Sequence, residues 1–168
     1  MEYNQFHPEK KEIKSIITET LSADELHKII YQDGSIPKGK KFLDIKDGGD
    51  FQYFDIRKFV DRGIHNRKMF YPIVRTNKEI VGICELEKSP YRENTYWISF
   101  MSVKESEQGK GYGSKLAEET FRFAKEKEIT IEGSRYTNMG REKLKSKYKE
   151  LSEKYGVTFI DSDDKHKI

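Results

Sequence analysis

Gln108-Gly109-Lys110-Gly111-Tyr112-Gly113 follows the apolar run Tyr96 to Val103 and opens a helical pattern that extends from Ser114 to Glu128. Where a strand breaks into a glycine-rich loop at a helix start, several backbone N–H groups converge without acceptors of their own, and such a point attracts phosphate. Spacing narrows the kind of phosphate. A P-loop requires glycine, four residues, then Gly-Lys-Ser/Thr, whereas Lys110 comes too early and Lys115 follows Ser114. A dinucleotide fingerprint requires G-x-G-x-x-G after a first strand, and here the glycines are spaced G-x-G-x-G late in the chain.

What remains is Gln-x-x-Gly-x-Gly between a strand and a helix, and it resembles the coenzyme A pyrophosphate loop of the GNAT family of N-acetyltransferases. The resemblance extends to element order over residues 69–160. It implies the acyl-CoA N-acyltransferase fold and direct transfer of an acetyl group from acetyl-CoA to a primary amine, on a small molecule, a peptide or a protein. By the same resemblance Gln108, Gly109, Lys110, Gly111, Tyr112, Gly113 and Ser114 form the pyrophosphate site. Met101, Ser102 and Val103 become the strand positions that meet the cofactor, with the Met101 N–H polarising the thioester carbonyl. Asn138 becomes a further cofactor contact, although by its position it is most simply a cap for the helix that follows. Lys110 either adds a positive charge or is a solvated bystander, and Tyr112 packs against the helix.

The elements that must position this loop are legible mainly in the second half of the chain. Met69 to Thr76 and Glu79 to Lys88 are apolar-rich runs joined by Asn77-Lys78, a two-residue hairpin turn. Ser89 to Asn94 forms the next turn, before the strand that enters the loop. A helix over 111–127, a strand over 129–133, a helix over 139–154 and a strand over 157–160 complete the pattern. The expected fold class is therefore α+β, with a mixed, mostly antiparallel central sheet and helices on both faces. In the first half, Ile13, Ile16, Ile17 and Leu21 recur at helical spacing, and Ser22-Ala23-Asp24-Glu25 reads as a capping box for a short helix with Leu26, Ile29 and Ile30 inward. Gly34 ends that helix. Residues 35–50 read as a surface loop with at most a short strand at 42–45, and 51–60 is ambiguous between strand and helix, with Ile56, Phe59 and Val60 before Gly63 favouring a helical turn or two. A single domain over 1–168 is expected, with its core in 69–160 and an acceptor-side segment in 1–68.

The chemistry needs a base for the amine and an acid for the departing thiolate. Counting back from Gln108 places the family's glutamate base at Trp97, which cannot accept a proton. The nearest carboxylates are Glu85 and Glu87, which alternation puts on one face of the preceding strand. If that face is solvated they are ordinary surface charges, the favoured expectation; otherwise Glu85 is the candidate base, with a water relay as the alternative. The family's acid is a tyrosine shortly before a glycine-aromatic pair; here the glycine is Gly156, followed by Val157, and the matching position is Ser152. Tyr148, one turn earlier, is the substitute, although Leu144, Tyr148, Leu151 and Tyr155 also make a core-facing stripe. Tyr136 is a more remote candidate.

Composition excludes several other classes. Of 168 residues 36% are charged, but 32 basic and 29 acidic side chains are intermixed, which argues against nucleic-acid binding. Aromatic content of 12% argues against disorder. No membrane span and no signal-peptide core is read, so a cytoplasmic protein, monomer or homodimer, is expected. His7, His27, His65 and His166 lack ligand spacing, so no metal is expected. His65 is read as a surface-loop residue, with lining an acceptor pocket as its other role. Cys84, the single cysteine, sits in an apolar run as a small buried hydrophobe. The alternation of Lys and Glu on the last helix marks a solvated face. A non-catalytic acyl-CoA-binding or regulatory protein on the same fold is the alternative function.

Overall fold

A computed structural model of the chain describes residues 15–31, 43–44, 53–54, 69–76, 79–134 and 141–163. Strand β1 (Ile17–Ser22) leads directly into helix α1 (Ala23–Tyr31), and β2 (Leu43–Asp44) pairs with β3 (Tyr53–Phe54) as a separate two-stranded sheet. Then follow β4 (Met69–Arg75), β5 (Ile80–Lys88), β6 (Thr95–Val103), α2 (Tyr112–Lys127), β7 (Thr130–Glu132), α3 (Arg141–Tyr155) and β8 (Phe159–Ile160). The six-stranded sheet has the order β1-β4-β5-β6-β7-β8. It is antiparallel from β1 to β6, and parallel where β6 meets β7 and β7 meets β8. The expected mixed, mostly antiparallel sheet is therefore observed.

Alternation along the strands divides the core between the two faces of the sheet. On one face, Ala23 and Leu26 of α1 pack with Leu21, Met69, Tyr71, Ile73, Ile80 and Ile83. On the other, Val74, Val81, Cys84, Leu86, Ile98 and Ile131 meet α2 and α3. Helix α2 buries Tyr112, Leu116, Thr120 and Ala124 at intervals of four, with Ala117 and Phe121 beside them. Its Phe123 reaches Phe70 of β4, ring centroids 4.9 Å apart. On α3, Tyr148 and Leu151 are buried and Leu144 and Tyr155 pack against the same cluster, so the stripe does face the core. No helix among the described residues is long and apolar enough to cross a membrane.

One expectation in the first half requires correction. The helix expected through Ile16, Ile17 and Leu21 is instead strand β1, paired residue for residue with β4 from Ile17↔Arg75 to Ser22↔Phe70. Ile17, Thr18 and Thr20 are β-branched, and the sheet edge supplies hydrogen bonds that no isolated helical turn could match; Ile13 lies outside the described residues. In 51–60, Tyr53–Phe54 is strand, and the remainder lies outside the described residues. The capping box is present. Ser22 N–H donates to Glu25 Oε1 at 3.1 Å, and Glu25 N–H donates to Ser22 Oγ at 3.2 Å. Leu26 is fully buried and Ile29 packs beside the core, as expected.

Candidate active site

Strand β6 is paired with β5 along its whole length, but β7 accompanies it only over Thr95–Trp97. From Ile98 to Val103 its other edge has no strand partner among the described residues. Direction can be worked out from one hydrogen bond. Lys104 N–H donates to Val81 C=O on the β5 side at 2.7 Å, so alternation turns the backbone groups of Val103 and Met101 the opposite way, into the gap. A bulge lies just upstream: Phe100 stands opposite Glu85 and Ile98 opposite Leu86, leaving Ser99 as the extra residue.

A short 3₁₀ turn over Glu105–Glu107 then delivers the chain to the glycine loop. Gly109 and Gly111 have φ of 82° and 84°, the left-handed region that glycine enters without steric cost. A side chain added at either would meet no atom within 4 Å, so the space over the loop is open. The first intrahelical bond of α2 runs from Lys115 N–H to Gly111 C=O at 3.2 Å. The N–H groups of Tyr112, Gly113 and Ser114 precede it and point out of the helix start. Gln108 Nε2 donates to Val103 C=O at 3.0 Å, tying the loop to the end of the strand. Tyr112 is buried in the core beneath α2, as expected.

These pieces border one cleft of about 520 Å³. Val103, Gln108, Gly109, Gly111, Gly113 and Ser114 line it on one side, and Lys143, Leu144, Ser146, Lys147 and Glu150 of α3 on the other. Lys143 and Lys147 are a turn apart, so part of the helix face read as merely solvated brings two lysines to the cleft, Lys147 with its Nζ 3.8 Å from Glu150 Oε1. The i, i+4 lysine pair was the available signal, obscured by Glu142 and Glu150 on either side of it. Lys110 is exposed, and its Nζ lies 2.6 Å from Glu107 Oε2. That hydrogen bond raises the Lys110 pKa above its ordinary value. Open loop, exposed strand edge and the two lysines suit a long ligand with a diphosphate at one end.

Tyr148 is 4% exposed, its ring packed between Phe121 and Phe159 with centroids 5.9 and 5.3 Å away. Its hydroxyl lies 3.5 Å from Met101 Sδ. Ser152 instead closes the end of α3, its Oγ donating to Val157 C=O. Glu85 overturns the favoured expectation of a solvated carboxylate. It is 1% exposed, accepting hydrogen bonds from Tyr71 Oη at 2.9 Å and from Ser99 Oγ at 2.7 Å. Glu87 is half-buried on the same face, opposite Trp97. Ser99, at the bulge, is a candidate that sequence reasoning missed, because only the register shows which strand residue is extra. Asn138, Tyr136, His7, His65 and His166 lie outside the described residues.

Cys84 lies opposite Met101 on β5, fully buried. Burial pushes its thiol up to about 12, against a smaller downward pull from a hydrogen bond with Thr120. It is an inert core thiol. Among the described residues no group of His, Cys, Asp and Glu is arranged to hold a metal.

Comparison with known proteins agrees with this geometry. No curated protein matches the sequence. Among solved structures, an aminoglycoside acetyltransferase from an uncultured soil metagenomic sample shares the fold at a TM-score of 0.53 and 18% identity, over 81% of this chain and 86% of that one. An IAA acetyltransferase from Bacillus cereus is 22% identical over 83% of this chain and 75% of its own, with a TM-score of 0.48. A Bacillus subtilis acetyltransferase solved with CoA is 27% identical over 57% of this chain and 60% of its own, with a TM-score of 0.45. The family model described as "Acetyltransferase (GNAT) family" matches residues 25–141, more than half of the sequence, and the chain belongs to that family.

Proposed function

We propose that the protein transfers an acetyl group directly from acetyl-CoA to a primary amine. The observation that carries this is the cleft bordered by the glycine loop and by Val103, at the end of the β6 edge that β7 leaves unpaired. Acetyl-CoA supplies an acyl group already activated as a thioester. The loop N–H groups from Gly109 to Ser114, with Lys143 and Lys147 opposite, would hold its diphosphate. The N–H of Met101 would donate to the thioester oxygen, where charge develops during transfer. Tyr148 Oη, 3.5 Å from Met101 Sδ, would give a proton to the departing thiolate. On the other face of β6, Ser99 donates to Glu85, so a proton given up by the amine can pass through Ser99 Oγ to a buried carboxylate. Strand β1 and helix α1 flank that face, and residues 1–68 would select the acceptor, within one domain spanning 1–168.

Screening small amines, peptides and aminoglycosides for release of free CoA tests the assignment. Turnover with at least one amine is expected. Tyr148→Phe should lower kcat by roughly tenfold to a hundredfold at unchanged CoA affinity, because a phenyl ring keeps the packing and loses the proton. A second reading, a non-catalytic acyl-CoA-binding protein, is favoured by Trp97 and Ser152 standing where the family carries its base and acid. Tight CoA binding without turnover on any amine would decide for it.

A further inference from the structure

Glu85 is held from the strands on both sides of its own. Tyr71 comes from β4 and Ser99 from β6, and each takes a different carboxylate oxygen. Tyr71 Oη donates to Oε2 at 2.9 Å, and Ser99 Oγ donates to Oε1 at 2.7 Å. The pairs Phe70↔Leu86 and Ile73↔Ile83 set the register that brings Tyr71 beside Glu85, and its ring is fully buried. The Tyr71 hydroxyl has a second acceptor in range, Met69 Sδ at 3.5 Å, but a carboxylate oxygen at shorter range is the stronger one. The last torsion of a glutamate is broad and roughly two-fold, so burial alone does not decide how the carboxylate plane is turned. A donor on each oxygen does decide it.

We propose that Tyr71 is a positioning residue for acyl transfer, fixing the plane of the Glu85 carboxylate so that Oε1 stays on Ser99, the extra residue of the bulge. The proposal rests on the reading of Glu85 as proton acceptor above and extends the proton-handling machinery to β4, two strands away from the edge that would hold the coenzyme. In this role Tyr71 touches neither amine nor coenzyme. It acts on the rate of proton transfer and leaves binding alone.

Steady-state kinetics on the full chain, with whichever amine gives the fastest CoA release from the parent, test this through Tyr71→Phe and Glu85→Gln made singly and together. Tyr71→Phe keeps the ring and should lower kcat about tenfold, with the KM for the amine and the CoA dissociation constant within about twofold of the parent. In the Glu85→Gln background the same change should alter kcat by less than about twofold, because no proton acceptor remains to be oriented. An equal loss in both backgrounds would mean that Tyr71 acts through packing, and the proposal falls. It also falls if Tyr71→Phe turns over like the parent while Glu85→Gln is slow, an outcome that leaves the reading of Glu85 intact. Glu85→Gln at the parent's rate would remove that reading and the proposal with it, as would a parent that binds CoA and turns over no amine. Ser99→Ala gives a test independent of how well Tyr71→Phe folds: if it turns over like the parent, orientation of Glu85 toward Ser99 is irrelevant and the proposal falls.

Discussion

Two regions on strand β6 solve the problem of holding a reacting group in opposite ways. At its C-terminal end, past Val103, the chain relies on backbone: positive φ at Gly109 and Gly111, helix-start N–H groups, and a strand edge that β7 leaves open. On its other face, at the bulge, it relies on side chains: a buried carboxylate, Glu85, with hydroxyls from Tyr71 and Ser99 donating to it. The proposed backbone site would tolerate exposure and most side-chain changes, but not a side chain forced into the positive φ of Gly109 or Gly111. The side-chain site depends on charge and proton chemistry, and removing one partner leaves another buried polar group unsatisfied. One strand can therefore separate binding from proton transfer.

The largest expected effect breaks the backbone site. Gly111→Glu forces a φ of 84° on a side chain and brings a carboxylate to the anion cradle. CoA affinity should fall by roughly a hundredfold or more, read by calorimetry. Next comes the side-chain site: Glu85→Gln should lower kcat by roughly a hundredfold while the CoA dissociation constant stays within about twofold. A matching loss in both quantities would erase the distinction between the two regions.

A smaller effect concerns whether the strand beneath the cleft is sealed. The Cys84 thiol, pushed up to about 12 by burial from an ordinary value of 9.0, keeps its proton in the folded protein while the unfolded chain releases it. Stability from this group is therefore full below about pH 9 and declines as pH rises toward 12, by up to about 1.4 kcal/mol per pH unit. Cys84→Ala lacks this slope, so the melting-temperature gap between parent and variant should narrow with rising pH; a constant gap would mean that solvent reaches β5. The smallest effect sits at the far end of α2. Glu128 caps that helix at φ 56°, with its N–H directed to Ala124 and Lys125 carbonyls, so Glu128→Gly should stabilise by roughly 0.5–1 kcal/mol without altering CoA affinity. Positive φ there closes a helix, whereas at Gly111 it shapes the proposed coenzyme loop.

The same contrast explains what was legible. The glycine loop, the strands around it and both later helices are local patterns: turn residues, alternation and four-residue spacing lie within a few positions of one another. Glu85 and Ser99 are 14 residues apart, and their meeting depends on a bulge that shifts the register between Glu85 and Leu86. No local rule supplies that shift, so Glu85 read as a surface charge and Ser99 did not register. Strand β1 was missed for a related reason. Its apolar residues fit a helical period as well as an extended one, and pairing with β4, some 50 positions downstream by register, decides between them. Tyr148 was ambiguous because both readings describe it: its ring is core and its hydroxyl faces Met101.

Thermal stabilisation by acetyl-CoA, compared between the parent protein and Gly111→Glu with NAD and ATP as controls, tests the central claim most directly. At a hundred times the parent's dissociation constant the parent should gain about 2.7 kcal/mol, with no comparable gain from NAD or ATP and at most about 0.4 kcal/mol in the variant. No shift at millimolar acetyl-CoA, or an equal shift in both proteins, would contradict a coenzyme site built on the glycine loop.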